Sequence, residues 1–520
     1  MQLPVDPVIP LGDAPLGVED VVRIARWGAR VEVTDAGLAD VAASRRVIDA
    51  LADDTVPHYG VSTGFGALAT TSIPREKRRA LQASLIRSHA AGAGPEVEDE
   101  VVRATQLLRL QTLTTGRTGV RPDVVRLYAG MLNAGVTPIV HENGSLGCSG
   151  DLAPLAHIAL AAIGEGDVVA RGRRVPAAEA LAAAGLAPVE LVEKEGLALI
   201  NGTDGMLGML CLAIHDLRVL LAAADAAAAM SVEALLGTDR VFADDLQALR
   251  PHPGQRRSAA LIRGLLAGSP IVASHAGPED TRVQDAYSLR CAPQVHGAAR
   301  DTVDHAARVA SIELASAIDN PVVTPDAHVE SNGNFHGAPI GYVLDFLAIA
   351  AADVASMSER RTDRMLDPAR SQGLPPFLAD DPGVDSGLMI AQYTAASIVS
   401  DLKRLAVPAS VDSIPTSAMQ EDHVSMGWSA ARKLRRSVDG LRRVVAIELL
   451  TASRALDLRA PLVSSGPIAR LRELLAAASP GAGPDRFLAP EIAAVVGLLE
   501  SEAHMPILES IASVDPEEDA

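Results

Sequence analysis

The chain has 520 residues, with 65 acidic against 46 basic side chains and a net charge of −19. That excess disfavours nucleic acid and anionic membrane surfaces as partners, and a hydrophobic share of 48% excludes a disordered chain. Three widely spaced cysteines without a CxxC pair, and 13 histidines without HExxH or zinc spacing, argue for a reducing cytoplasm, no disulfide framework and no metal.

In chain order, residues 1–17 are rich in Pro and carry acids, without the basic and apolar regions of a signal peptide. Helical spacing of apolar residues predicts helices over 18–27, 36–52, 75–89, 101–113 and 121–134. Short strands are expected at 31–33 and 167–175, with Gly172 at a turn. Residues 176–184 and 186–191 read as a small surface excursion. From 204 to about 458 nearly every apolar residue keeps helical period between Gly/Pro loops, and 468–478 and 490–503 add short helices. The acidic end, 515–520, is expected to fray.

Two stretches, 205–237 and 341–357, are apolar enough to pass for membrane spans. Asp216, Arg218 and Asp225 interrupt the first, Asp345 and Asp353 the second. Each such charge near a bilayer centre costs about 2.5–3.5 kcal/mol, so both are expected to be buried helices of a soluble bundle. The expected fold is mainly α, a large elongated helical bundle with a loop-rich N-terminal part. Its parts are 1–203, 204–458 with the long helices, and 459–520 with short helices and the tail, as one interlocked unit.

The polar clusters between these helices carry the chemistry. Tyr59 precedes a Gly/Ser/Thr-rich run, Gly60 to Gly66, that reads equally as a surface loop or a lid, with Tyr59 as an acid/base candidate. His89 ends a helix, where capping is the plain reading. Asn201 follows an apolar run as a turn residue or as an amide aimed at a reacting group. Gln284, Tyr287 and Arg290 stand three apart, on one face of a helix, and Arg290 suits a carboxylate or an ordinary ion pair. Asp319-Asn320-Pro321 starts a turn, and Asn332 to Gly337, with Phe335, is a compact polar loop. Glu421 lies in Gln420-Glu421-Asp422-His423 ahead of a helix, where acids commonly cap.

The densest signal is Gly144-Ser145-Leu146-Gly147-Cys148-Ser149-Gly150-Asp151, followed by Leu152 to His157. One reading is a loop that caps a helix; another is an anion site. A third is chemical. Attack of the Gly150 nitrogen on the Cys148 carbonyl, with loss of water from the ring and from Ser149, leaves a 4-methylidene-imidazol-5-one (MIO), an electrophile. The third position must be Gly, and the second must be Ser to supply the methylidene carbon.

In this order the clusters resemble the MIO-dependent ammonia-lyases of aromatic amino acids, over about 59–426, and most specifically at Gly144 to His157. The resemblance implies that Ser149 becomes a dehydroalanine crosslinked between Cys148 and Gly150, and that Tyr59 removes a β-proton. It implies that Asn201 and Tyr287 hold the amine and the cofactor region, and that Arg290 with Asn320 holds the carboxylate. Gln284 lines the site and Phe335 shapes the pocket. His89 and Glu421 match the members that act on histidine, which implies release of ammonia and urocanate as the first step of histidine degradation. A homotetramer with shared active sites and no external cofactor is also implied. Cys148 replaces the usual Ala, Asp204 stands where Gln is frequent, and Met419 where Asn is frequent. The alternatives are a tyrosine ammonia-lyase or aminomutase of the same family, a cofactor-free helical lyase of the fumarase type, and a catalytically dead helical scaffold, against which the dense polar motifs speak.

Overall fold

The structure, a computed structural model, describes residues 8–54, 58–64, 66–68, 70–148, 150–277 and 283–501. Ser149 and the acidic end at 515–520 lie outside the described residues. As expected, the chain is mainly α, with small two- and three-stranded sheets between the helices. The helices that carry the core and the site are α1 (Arg78–His89), α2 (Asp99–Thr114), α3 (Leu152–Ala162), α4 (Asp204–Ala234), α5 (Ala292–Leu314), α6 (Ala338–Leu366) and α7 (Gly427–Asp457). The first of these begins later than its apolar pattern because Arg75–Lys77 forms a 3-10 turn after Pro74. The predicted strand at 167–175 is a hairpin, Asp167–Ala170 against Arg173–Pro176, turned at Gly172 with φ +70°. Val31–Val33 pairs in parallel with Ile9–Leu11.

The chain divides into two compact units that interleave in sequence. The first takes the described parts of 1–215, 306–345 and 408–432; the second takes those of 216–305, 346–407 and 433–520. This differs from the expected succession 1–203, 204–458 and 459–520. Four of the five divisions fall inside α4, α5, α6 and α7, so a boundary at the start of α4 follows the chain and not the packing.

Both helices that resemble membrane spans are core helices. Their apolar windows are 83% buried in α4 and 61% in α6. Buried acids in the second unit are neutralised there. Asp225 of α4 accepts from His296 Nδ1 at 2.7 Å and from Arg300 at 2.6 Å. Glu448 of α7 meets Arg361 of α6 through two nitrogens, at 2.6 and 2.9 Å, and accepts from Ser231 and Ser358. Buried charges persist only when paired and hydrogen-bonded, and these pairs link α4 to α5 and α6 to α7.

In the first unit, one carboxylate organises the loop ahead of α3. Asp151 Oδ2 accepts from the Gly205 and Met206 amides, both at 2.9 Å, in the first turn of α4, where helix N–H groups lack partners. Its Oδ1 accepts from Ser145 Oγ at 2.8 Å, and its own amide donates to the Gly202 carbonyl at 2.7 Å. Burial pushes the Asp151 carboxyl up to about 7, against these donors. Asp151→Ala strands three buried donors at about 1–3 kcal/mol each. We expect a clearly lowered thermal midpoint by calorimetry; an unchanged midpoint contradicts this role.

Candidate active site

The Gly144–Gly150 loop is held from two other parts of the first unit. The Met426 amide donates to the Leu146 carbonyl at 2.8 Å. The Gly147 carbonyl accepts from Ser425 Oγ at 2.7 Å and from the Gly337 amide at 3.0 Å. Gly150 sits at φ +77°, and a Cβ there would overlap the Gly202 backbone, so only glycine fits. The polar clusters that start at Asn332 and that lead up to Met426 therefore converge on the loop. His336 and His423 join them by ring stacking, with centroids 5.6 Å apart and planes 5° from parallel.

Glu421 does not cap α7, which starts at Gly427. It lies in a bridge with Thr416, whose hydroxyl donates to its Oε2 at 2.8 Å. The Cys148 thiol donates to the same oxygen at 3.2 Å, so the first residue of the triplet touches Glu421. His89 does cap its helix, with Nδ1 at 3.0 Å from the Leu85 carbonyl. That bond assigns the proton to Nδ1 and leaves Nε2 as an acceptor. Burial lowers the imidazole below its ordinary value, opposed by the Leu85 carbonyl and by the charge of Glu421. The ring is therefore neutral at pH 7 and lies within the field of Glu421.

Tyr59 is placed by Gly60, where a Cβ would press on Leu197, Pro321 and Lys194. Its hydroxyl accepts from the Gly66 amide at 3.3 Å. Burial, then Asp319 and Glu421, raise its phenol above the ordinary value, while the Gly66 N–H opposes them. A base working near neutrality calls for lowering; the chain's own groups do the reverse.

Asn201 is 3% exposed. Its Nδ2 donates to the Asn320 carbonyl at 2.8 Å, and its Oδ1 has no partner among the described residues. A buried amide oxygen without a donor is an acceptor in waiting. Asn320 spends its own Oδ1 on Ser331 Oγ and the Asn332 amide, both at 3.0 Å, which turns its NH2 group toward other acceptors. Phe335 is half-buried in the 332–337 loop.

Gln284, Tyr287 and Arg290 belong to the second unit. The expected shared helical face is only partly realised. The helix covers Tyr287–Arg290, and the exposed Gln284 precedes it, next to Asp285, which accepts from the Thr238 amide at 2.8 Å. Arg290 lies over the Tyr287 ring at 4.6 Å. Among the described residues, no group of three or more His, Cys, Asp or Glu is arranged to hold a metal ion. The sequence pattern singles out neither Arg109 nor Lys194 and marks Asp319 only as the start of a turn; all three are fully buried. The available signal was a charge inside the apolar run Leu107 to Leu113.

The aromatic amino acid lyase family model matches residues 16–478. A histidine ammonia-lyase from Streptomyces griseus is 63% identical over 491 residues, covering 93% of this chain and 95% of that protein. The histidine ammonia-lyase structure from Trypanosoma cruzi aligns with a TM-score of 0.90 at 38% identity, over 98% of this chain and 96% of that one. A tyrosine aminomutase from Streptomyces globisporus aligns with a TM-score of 0.90 at 37% identity, over 98% and 99%. With a family model spanning most of its length and a near full-length relative at that identity, the chain belongs to the aromatic amino acid lyase family.

Proposed function

We propose that this chain is a histidine ammonia-lyase, which converts L-histidine to trans-urocanate and ammonia. The observation that carries this reading is the meeting of Glu421 with Cys148, with His89 in its field. Imidazole has a nitrogen at each side of the ring. The imidazolium form carries an N–H at each nitrogen, and His89 Nε2 and the Glu421 carboxylate supply an acceptor for each. The relative at 63% identity carries the same name.

The residues fit an MIO formed from Cys148-Ser149-Gly150. Gly150 has no room for a side chain, and the loop on both sides of the triplet is pinned by backbone bonds. Such a group supplies an electrophilic carbon that improves ammonia as a leaving group. The remaining work falls to the chain. Asn201 Oδ1 accepts from the substrate ammonium. The Asn320 NH2 holds the carboxylate, and Phe335 walls the pocket. Tyr59, as phenolate, removes the β-proton. Arg290, Tyr287 and Gln284 serve the same reaction from a neighbouring chain of a homotetramer. Exposed Phe346, Ile349, Ile390 and Tyr393, between 44% and 63% accessible, suit such burial. Cys148, Cys211 and Cys291 stand outside any disulfide, which suits a cytoplasmic setting. The alternative, a tyrosine ammonia-lyase or aminomutase, draws on the tyrosine aminomutase fold match.

Two experiments test the reading. His89→Leu and Glu421→Gln are each expected to lower kcat/KM for histidine by about 100-fold or more, because a polar ring then loses a partner. Urocanate absorbance follows the rate. Wild-type kcat/KM in both variants contradicts the histidine assignment, and a β-amino acid product from tyrosine favours the alternative.

The second concerns pH. The active form of Tyr59 is the anion, and its surroundings hold the phenol above its ordinary value. The ionised fraction therefore rises about tenfold per pH unit up to and beyond about pH 9. We expect kcat to climb over that range, and Tyr59→Phe to lose about 10²–10⁴-fold in kcat. A flat wild-type profile from about pH 7 to about pH 9, or near-normal turnover in Tyr59→Phe, contradicts the base assignment.

A further inference from the structure

Beneath Asn201 and Asn320 lie four charged side chains that the reaction leaves unused. Arg109 of α2 and Lys194 supply the cations, Asp204 and Asp319 the anions, and none is more than 5% exposed. Arg109 Nη2 pairs with Asp204 Oδ2 at 2.7 Å, and Lys194 Nζ with Asp319 Oδ2 at 2.5 Å. The guanidinium also gathers backbone. Its Nη1 donates to the Ala198 carbonyl at 3.0 Å and the Asn201 carbonyl at 3.1 Å, and its Nη2 to the Ile318 carbonyl at 3.2 Å. A planar fork of donors is the side-chain geometry that can hold two backbone segments at once. A Cβ on Gly202 would overlap the guanidinium, so the Asn201 turn packs directly against it.

The other pair works from the opposite side. Lys194 sits at φ +74°, a left-handed conformation uncommon for a long side chain, and delivers its ammonium to Asp319. Asp319 Oδ1 in turn accepts from the Asn320 amide at 2.7 Å. Buried ion pairs contribute little net stability compared with apolar packing. Two such pairs placed under two substrate-facing amides are accounted for by geometry, since each pair fixes a backbone segment that carries one of those amides.

We propose that Arg109 is a positioning residue, which sets the placement of Asn201 and Asn320 by holding the Asn201 and Ile318 carbonyls in one guanidinium fork, with the Lys194–Asp319 pair fixing the Asn320 side. The proposal rests on the reading that Asn201 holds the substrate amine. Arg109 touches no substrate; it acts through Asn201.

The test is a double-mutant cycle on histidine turnover with Arg109→Lys and Asn201→Ala. Lysine keeps the charge opposite Asp204 but cannot span both segments. Arg109→Lys alone is expected to lower kcat/KM by about 10- to 100-fold, the scale of a misplaced reacting group. Asn201→Ala is expected to cost at least as much. In the Asn201→Ala background, Arg109→Lys is expected to add less than about twofold, because residues acting in series do not add. All three variants are expected to keep wild-type far-ultraviolet circular dichroism and the two-water mass loss of the native enzyme. A full additional loss in the Asn201→Ala background overturns the positioning role, as does wild-type kcat/KM in Arg109→Lys. Wild-type turnover in Asn201→Ala instead overturns the amine-holding reading beneath it. Should Arg109→Lys fail to fold, Asp204→Asn, which removes the counter-ion of Arg109, replaces it in the same cycle with the same outcomes.

Discussion

The close approach of Gly150 to the Gly202 backbone is the constraint on which the first unit depends. It leaves no space for a side chain at Gly150 and brings the Asp151 amide onto the Gly202 carbonyl, while Arg109 fills the space beside Gly202. Two buried charges then hold the turns from either side. Asp151 gathers the start of α4 and Ser145, and Arg109 gathers the Asn201 and Ile318 carbonyls. A loop rich in glycine is conformationally permissive by nature. Here its freedom is removed from outside, by the bonds to Leu146, Gly147 and Asp151.

The polar groups around this loop differ in protonation state. His89 is neutral because burial outweighs the field of Glu421. Tyr59 is a harder case. The phenol is pushed up by burial and by two carboxylates, so it is a strong base when ionised and seldom ionised near neutrality. Brønsted behaviour makes that an exchange of base strength against population. Cys148 adds a feature of its own, since an alanine there could not donate to Glu421. The thiol and the Thr416 hydroxyl together hold that carboxylate oxygen.

Much of this was legible in the sequence because the chemistry is local. The triplet, its glycines and the Asp that follows are contiguous, and helical periodicity located α2 to within two residues at its start and one at its end. What periodicity could not convey was partnership across the chain. Arg109 reads as a polar interruption in an apolar helix until Ile318 and Asp204 are brought beside it. Glu421 reads as a helix cap until the true start of α7, at Gly427, frees it for Cys148. His89 shows the capping reading, with Nδ1 on the Leu85 carbonyl, and keeps its other ring nitrogen outside that bond. The division into units was hidden for a related reason. Long helices shared between two compact bodies leave no change of composition where the packing changes.

The account stands or falls on whether the chain builds its own electrophile. Intact-mass spectrometry of the active protein, followed by mapping of the peptide that contains residues 148–150, tests it most directly. The account predicts a chain lighter than its encoded mass by two waters, with the whole deficit in that peptide and half of it or more absent in Ser149→Ala. An active enzyme with the full encoded mass and an ordinary Cys148–Gly150 peptide would contradict it.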